Sequence, residues 1–341
     1  MHLLTANAVR NGRDAEAPWR SGVGPLVMLM KSCERWRHQY RQRRYMVHLT
    51  EKELQQRAKD VFLNLLVLTE ENKIGFPPID DEGSYWMVRW ADILEEFVLR
   101  YGPYPAGFKK GFIKEVRIPR PDDPLAPKAA QVVKSLDRSQ LKPGTFLVKY
   151  GKAEHLRQAF EKGVIRIAPA ASMDDPSLNP AIRDRELEVY VQPPPSEMKL
   201  HAYDGKTGKP KGVFNPVGNR VRRTSRTNYY VYCLSGALAP RLFIDFDYDS
   251  FLIFAEPAAF VKNLLQAVEA KLPKWTGAGM PVKYYDPLNS RLEDIDIFSQ
   301  KHFRFAYQKE YRIIWLPPRE ANDLQPVIVE LGSLEGSVQV H

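Results

Sequence analysis

The spacing of hydrophobic residues changes once along this chain, and that change constrains the fold more than any other feature. From Thr145 onward, short runs of alternating apolar and polar residues recur between turn residues. Helical spacing interrupts them at residues 153–162 and 257–272. We expect strands at residues 146–150, 164–168, 186–191, 228–235, 250–254, 282–285, 310–315 and 327–331. Residues 145–341 are therefore predicted to form an α+β domain with few helices around a split, mostly antiparallel sheet.

The first third of the chain has a different texture. Thr50 and Glu53 form a capping box that predicts a helix start, and residues 84–100 have a second helical stripe with inward tryptophans. We expect a helical domain over residues 46–115, which is a candidate surface for a protein partner. Four prolines at 118–128 exclude a helix there. Residues 116–144 are therefore predicted to be a Pro-rich linker followed by a short helix near 129–139.

Basic residues are concentrated in two segments of a chain whose formal net charge is +9 over 341 residues. Residues 1–45 have nine Lys or Arg against three acidic residues, and we expect them to form a poorly ordered tail. Residues 199–226 have eight against one. Either both segments are simply solvated, or they bind an anionic macromolecule such as nucleic acid. The candidate nucleic-acid-binding residues are Lys206, Lys209, Lys211, Arg220, Arg222, Arg223 and Arg226.

Several classes of protein are disfavoured by composition. The apolar stretches are far shorter than the ~18 residues of a membrane span, and no secretory signal is evident at the N-terminus. Two cysteines, Cys33 and Cys233, are too few for a disulfide framework or a thiolate zinc site, and no metal is expected. We therefore predict a cytoplasmic protein that does not bind membranes. Met46 precedes the first clear helix and is an alternative to Met1 as the translation start.

The segment at residues 307–315 contains the strongest candidate for chemistry. A strand period of two places Gln308, Glu310 and Arg312 on one face. A carboxylate in a hydrophobic strand is costly to bury and needs partners. Glu310 is therefore either part of a salt bridge to Arg312 or a lysine, or a functional group.

Motifs over roughly residues 145–316 resemble a bacterial family of uncharacterised proteins. The matching segments read LVKYG at 147–151, KGVIRIAP at 162–169 and MDDP at 173–176, and the family closes with a Y-E-K-E-Y-R motif that corresponds to residues 307–312. The order of these motifs also resembles the ADP-ribosyltransferase fold, with a basic residue on the first strand, a serine on a middle strand and a Q-x-E strand last.

This resemblance implies that NAD is a substrate and that no metal is required. By position, Glu310 would be the catalytic carboxylate and Gln308 the residue that orients the target. Lys149 would hold the NAD phosphates or the adenylate ribose, Tyr150 would form a wall for nicotinamide, and Ser235 would brace the carboxylate. The chain departs from the transferases in having Lys149 where Arg or His is usual, and Cys-Leu-Ser ending at Ser235 where Ser-Thr-Ser is usual.

The resemblance favours an NAD-dependent ADP-ribosyltransferase. Such a protein would be an intracellular toxin or phage-defence effector that modifies nucleic acid or protein. An NAD glycohydrolase is a related possibility. The alternative is a non-enzymatic module that binds nucleic acid or another partner on a degenerate transferase-like scaffold.

Overall fold

The computed structural model describes residues 25–78, 80–103, 105, 118–136, 144–214, 219–335 and 338–340. Its α-helices are α1 (Pro25–Gln42), α2 (Glu51–Leu65), α3 (Asp81–Tyr101), α4 (Ala126–Ser135), α5 (Ala153–Lys162), α6 (Pro240–Phe246) and α7 (Pro257–Lys271). The first eight strands are β1 (Val67–Leu68), β2 (Ile74–Gly75), β3 (Leu147–Gly151), β4 (Val164–Pro169), β5 (Glu188–Val191), β6 (Leu200–Tyr203), β7 (Pro210–Phe214) and β8 (Val221–Thr224). The others are β9 (Tyr230–Ser235), β10 (Ser250–Phe254), β11 (Thr276–Pro281), β12 (Lys283–Tyr285), β13 (Gln300–His302), β14 (Glu310–Leu316), β15 (Val327–Glu330) and β16 (Val338–Val340).

The main sheet has the strand order β11-β14-β9-β3-β10-β16, with β4 paired to β9 and β15 paired to β4. Every pairing in it is antiparallel, whereas the small β12–β13 pair is parallel. The predicted α+β class with a mostly antiparallel sheet is therefore confirmed. All eight predicted strands are present, with bounds that differ by two residues at most.

Two different strands share one side of β9, and this arrangement splits the sheet. At the end of β9, Ser235 lies opposite Val148 of β3. At its beginning, Tyr230 and Val231 lie opposite the last residues of β4. Since β3 and β4 each pair with only part of β9, a fork opens between them.

Helix α7 packs closely on the edge strand β11. The sequence analysis did not predict this strand. A Cβ atom on Gly277 would lie 2.5 Å from a methyl of Leu265 and 2.9 Å from the ring of Trp315, and one on Gly279 would lie 2.8 Å from Val261. Only glycine allows this approach, although glycine is a poor strand former. Gly277 and Gly279 therefore permit the packing and also remove the sequence signal of a strand.

The helical region packs on the strand-rich region. Its hydrophobic cluster, which draws on α1, α2 and α3, also contains Phe303 and Ala306 from the turn before β14. Arg57 of α2 forms a buried, bidentate pair with Asp286, with N–O distances of 2.8 and 2.7 Å. The expected domain boundaries remain a prediction, but the two regions are in direct contact.

The basic N-terminal segment differs from expectation where the structure describes it. Residues 25–42 form α1, which packs on α3, so the expectation of a poorly ordered tail through residue 45 is wrong for this stretch. The physical reason is that Arg37, Arg41 and Arg44 pair with buried glutamates of α3. Residues 1–24 lie outside the described residues. None of the described helices has the length and apolar character needed to cross a membrane.

Candidate active site in the sheet fork

The fork between β3 and β4 contains a cavity of about 460 Å³, called here the fork cavity. Its walls come from β3, β4, β9, the turn after β4 and the first residue of β14. The five residues predicted for catalysis and NAD binding all line it: Lys149, Tyr150, Ser235, Gln308 and Glu310. Residues from distant parts of the chain therefore line one cavity, although each side chain has different hydrogen-bond partners.

Glu310 begins β14 opposite Ser235 and is 6% exposed. Its Oε2 atom accepts a hydrogen bond from Lys301 Nζ at 2.9 Å, and its Oε1 atom accepts one from Arg312 Nε at 2.6 Å. Burial opposes ionisation of this carboxyl, but Arg312 and Lys301 outweigh it and hold the pKa of Glu310 well below its usual range. Glu310 is therefore ionised at neutral pH.

Two more carboxylates complete this group, called here the Glu310 cluster. Glu186 Oε2 lies 2.6 Å from Arg312 Nη2, and Lys301 Nζ lies 3.3 Å from Glu186 Oε1 and 3.6 Å from an oxygen of Asp184. Burial raises the pKa of Glu186 and outweighs the opposing effect of Arg312 and Lys301, and the charges of Asp184 and Glu310 raise it further. The salt-bridge alternative for Glu310 is thus present in the structure, and the carboxylate that forms it also lines the fork cavity.

Ser235 and Gln308 hold the turn that leads into β14. Ser235 Oγ donates to the carbonyl oxygen of Gln308 at 2.7 Å, so it braces the backbone before Glu310 and not the Glu310 carboxylate. Gln308 Nε2 donates to the carbonyl of Ala181 at 2.7 Å. Lys309, between Gln308 and Glu310, has a left-handed φ of 48°, which turns the chain from the preceding 3-10 helix into β14.

Lys149 reaches the fork from the opposite face of the sheet. Val148 is paired with Ser235, so the alternation along β3 places Lys149 on the other face, with Tyr232. The Lys149 ammonium donates to the carbonyl of Cys233 at 2.9 Å and lies 4.4 Å from the centroid of the Tyr232 ring. Burial lowers the pKa of Lys149.

Tyr150 is fixed mainly by packing. Its hydroxyl donates to the carbonyl of Ala237 and accepts from the amide of Ala239, both at 3.0 Å. Its ring contacts Phe243 and Phe246 edge-on. Tyr150 therefore contributes a rigid wall to the fork cavity.

The predicted nucleic-acid-binding residues are not all on one surface. Lys206, Lys209 and Lys211 are exposed on the β6–β7 hairpin, where Lys211 pairs with Asp204 at 3.0 Å. Arg226 is exposed beyond β8. Because side chains alternate along β8, the remaining arginines divide between its faces. Arg220 and Arg222 line a second cavity, and Arg223 donates to the carbonyl of Ile295 on the other face.

The sequence indicated neither this second cavity nor two of the residues that pair with Glu310 and Arg312. Lys301 is in a three-residue strand and Glu186 precedes β5, and nothing in their local patterns marks either as a partner of Glu310. Only Arg312 carried a signal, through its spacing of two from Glu310. Among the described residues, no group of three or more His, Cys, Asp or Glu side chains is arranged to hold a metal ion.

Comparisons with protein-family models, curated proteins and solved structures gave no match to this chain. The resemblance to the bacterial family and to ADP-ribosyltransferases therefore stays a prediction.

Proposed function

We propose that this chain is an NAD-dependent ADP-ribosyltransferase whose reaction takes place in the fork cavity. The observation that supports it is an ionised, buried carboxylate, Glu310, in the wall of a cavity that a lysine enters from the opposite side. A volume of about 460 Å³ lies within the ~300–1,000 Å³ typical of ligand sites.

The chemistry requires a fixed negative charge. When the bond between nicotinamide and ribose breaks, nicotinamide leaves with the bonding electron pair and positive charge develops on the ribose. A carboxylate that contacts the ribose 2′-hydroxyl stabilises this charge more than it stabilises the ground state. The acceptor then bonds to the ribose carbon and releases its proton.

The ion pairs of Glu310 are compatible with that role. Each carboxylate oxygen can accept about two hydrogen bonds, so the contacts to Lys301 and Arg312 leave capacity on both oxygens. Burial raises the pKa of Glu186, and Asp184 also pairs with Arg304, so Glu310 is the carboxylate of this group that Lys301 and Arg312 hold ionised. Lys301 and Arg312 would therefore fix the position and the ionisation of Glu310 beside the bound ribose.

Lys149 would bind the pyrophosphate of NAD. Its ammonium has three N–H donors, and the described residues accept one of them, at Cys233. Because burial lowers the pKa of Lys149, a bound phosphate would restore the charge that burial disfavours. Loss of this side chain should weaken NAD binding and leave the Glu310 cluster intact.

The test is to incubate the full chain with NAD and a cell lysate and to measure nicotinamide release and transfer of labelled ADP-ribose. Glu310→Gln should lower both by ~10²–10³-fold, as loss of one preorganised electrostatic contact does. Glu269→Gln, the same change at an exposed position of α7, should have no effect. Lys149→Met should raise the NAD concentration needed. The proposal fails if the parent chain releases no nicotinamide or if Glu310→Gln matches it.

A second candidate function is a non-enzymatic nucleic-acid-binding module. Two observations favour it: both Glu310 oxygens are held in ion pairs, and the exposed β6–β7 hairpin carries Lys206, Lys209 and Lys211. This candidate predicts binding to random DNA or RNA that weakens steeply with salt, with no NAD turnover. A flat salt dependence would eliminate it.

A further inference from the structure

The second cavity, of about 470 Å³, adjoins the fork cavity and is called here the arginine cavity. Leu178, Glu186 and Lys301 line both cavities, so the Glu310 cluster forms part of the wall between them. A molecule bound in the arginine cavity would therefore lie beside the group to which we assign the cleavage of NAD.

The charged lining of the arginine cavity consists of Lys301, five carboxylates (Asp60, Asp174, Asp184, Glu186 and Glu188) and five guanidinium groups. Those that pair with carboxylates do so in partly exposed contacts: Arg183 lies 3.3 Å from Asp174, and Arg222 lies 3.1 Å from Glu188. Partly exposed ion pairs of this kind are weak, so a phosphate can compete with the carboxylate for the guanidinium. The arginines come from three separate segments of the chain: Arg183, Arg185, Arg220, Arg222 and Arg304.

Arg220 ends a continuous stack of flat groups. The Phe303 and His302 rings have centroids 4.7 Å apart, those of His302 and Tyr190 are 5.7 Å apart, and Arg220 Cζ lies 4.5 Å from the Tyr190 centroid. Arg220 is exposed, and among the described residues it forms no ion pair. The guanidinium thus lies over the Tyr190 ring on an exposed residue, a position at which an unpaired nucleobase can stack on it.

Tyr190 also supplies a hydrogen-bond donor. Burial lowers the pKa of His302 to about 3, so its ring is neutral. The amide of Arg304 donates to His302 Nδ1 at 3.1 Å, which places the ring proton on Nε2, and Nε2 then donates to the Tyr190 hydroxyl at 3.2 Å. The Tyr190 hydroxyl therefore keeps its own proton for another acceptor, such as a base edge or a phosphate oxygen.

We infer that the arginine cavity is the acceptor site of the proposed transferase and that it binds one nucleotide of a single-stranded nucleic acid. This inference rests on the proposed function. Guanidinium forks suit phosphate oxygens, and a cavity of about 470 Å³ is too small for a duplex. Strands β5 and β8, which carry Tyr190 and Arg222, also flank the lysine-bearing β6–β7 hairpin, which would hold the rest of the strand. In the reaction, a nucleophilic atom of the bound nucleotide bonds to the ribose carbon, neutral nicotinamide leaves, and the proton of the nucleophile passes to water.

The first experiment measures binding without NAD. Fluorescence anisotropy with labelled 12-nucleotide RNA and DNA strands of mixed sequence should show binding by the full chain. The double variant Arg220→Ala with Arg222→Ala should weaken it at least tenfold near 0.1 M salt and should reduce the magnitude of the salt slope by about 1, because Arg222 is the member that contacts a phosphate. Arg157→Ala, which removes an exposed arginine of α5, should change neither. Equal binding by the double variant, or equally tight binding of an acidic 12-residue peptide, would overturn the inference.

The second experiment identifies the acceptor. Labelled NAD with the chain, the same oligonucleotides and a cell lysate should place label on the strand, and the double variant should reduce that labelling. Label found only on lysate proteins would overturn the inference and leave the transferase in place. Absence of nicotinamide release from the parent chain would overturn the proposed function, and the binding measurement would still report on the cavity separately.

Discussion

Two networks in this molecule bury carboxylates against arginines, and they are built in opposite ways. In the helical region, Glu95 and Glu96 of α3 are fully buried, and their partners reach them from the surface. Four cations pair with these two carboxylates. Arg37, Arg41 and Arg44 are each more than a third exposed, and Arg100 is more buried.

In the Glu310 cluster the cations are themselves buried. Arg312 is 0% exposed at its side chain and Lys301 is 5% exposed, and three carboxylates share them. Two cavities adjoin this cluster, whereas neither cavity is lined by the buried glutamates of α3. An ion-pair network that serves to dock a helix can have its outer ends in solvent. One that presents charge to a ligand needs its charges fixed and shielded from water.

The most severe test of this difference is Arg312→Met. The substitution leaves Glu186 and Glu310 with one buried cation between them, and breaking a buried pair in this way costs about 3–5 kcal/mol. Urea unfolding at pH 7 measures the loss. Because protonation relieves an unpaired carboxylate, the deficit should narrow at pH 5. A loss below 1 kcal/mol would mean that the cluster is not the closed, low-dielectric group described above.

A second test uses Asp60, which lies where the helical region meets the arginine cavity. The Asp60 side chain is buried, and burial raises its pKa to about 6. Between about pH 4 and 6 the folded chain keeps this proton while the unfolded chain loses it, so stability falls as pH rises and the full penalty is present above pH 6. A shift of about two units corresponds to at most about 3 kcal/mol.

Asp60→Asn should therefore be more stable than the parent at pH 7 by about 2–3 kcal/mol and equal to it near pH 4. Urea midpoints across this range measure the effect. Asp323→Asn, at an exposed position, is the matched control and should follow the parent at every pH. A variant that is no more stable at pH 7 would show that the Asp60 carboxylate is compensated in the folded state.

Eight strands of the strand-rich region were predictable because their signals are local, whereas β6, β7, β8, β11, β13 and β16 were not predicted. The short apolar runs of β9 and β14, and the glycine that ends α5 in the left-handed conformation, are each readable within a few residues. Strand β11 was missed because Gly277 and Gly279 are selected for close packing on α7 and not for strand propensity.

The candidate site was predictable only in part, for a related reason. Glu310 and Arg312 share one strand face, so their contact could be expected from spacing alone. Lys301 and Glu186 approach Glu310 through tertiary packing, which no local pattern encodes. Helix α1 was missed because its arginines indicate a solvated tail until Glu95 and Glu96 are known to face them.

A smaller effect tests how the helical region is stabilised locally. Thr50 and Glu53 form the predicted capping box, with the Thr50 hydroxyl accepting from the Glu53 amide and the Glu53 carboxylate accepting from the Thr50 amide. Thr50→Ala should cost about 1 kcal/mol in urea unfolding. Lys52→Ala, in the same exposed turn, should stay within about 0.5 kcal/mol of the parent. If Thr50→Ala had no cost, the stability of α2 would come from packing alone.

The smallest expected effect completes the comparison between the two networks. Arg41→Met makes the same chemical change as Arg312→Met, but Arg41 is about half exposed and Arg37 remains to pair with Glu95 at 2.5 Å. A partly exposed pair contributes about 0–1 kcal/mol and is screened by salt. Arg41→Met should therefore cost less than about 1 kcal/mol at low salt and still less at 1 M salt. A loss of stability as large as that of Arg312→Met would show that the α3 glutamates depend on each cation as strictly as Glu310 does. The ratio of cations to carboxylates would then no longer distinguish a network that docks a helix from one that faces a ligand.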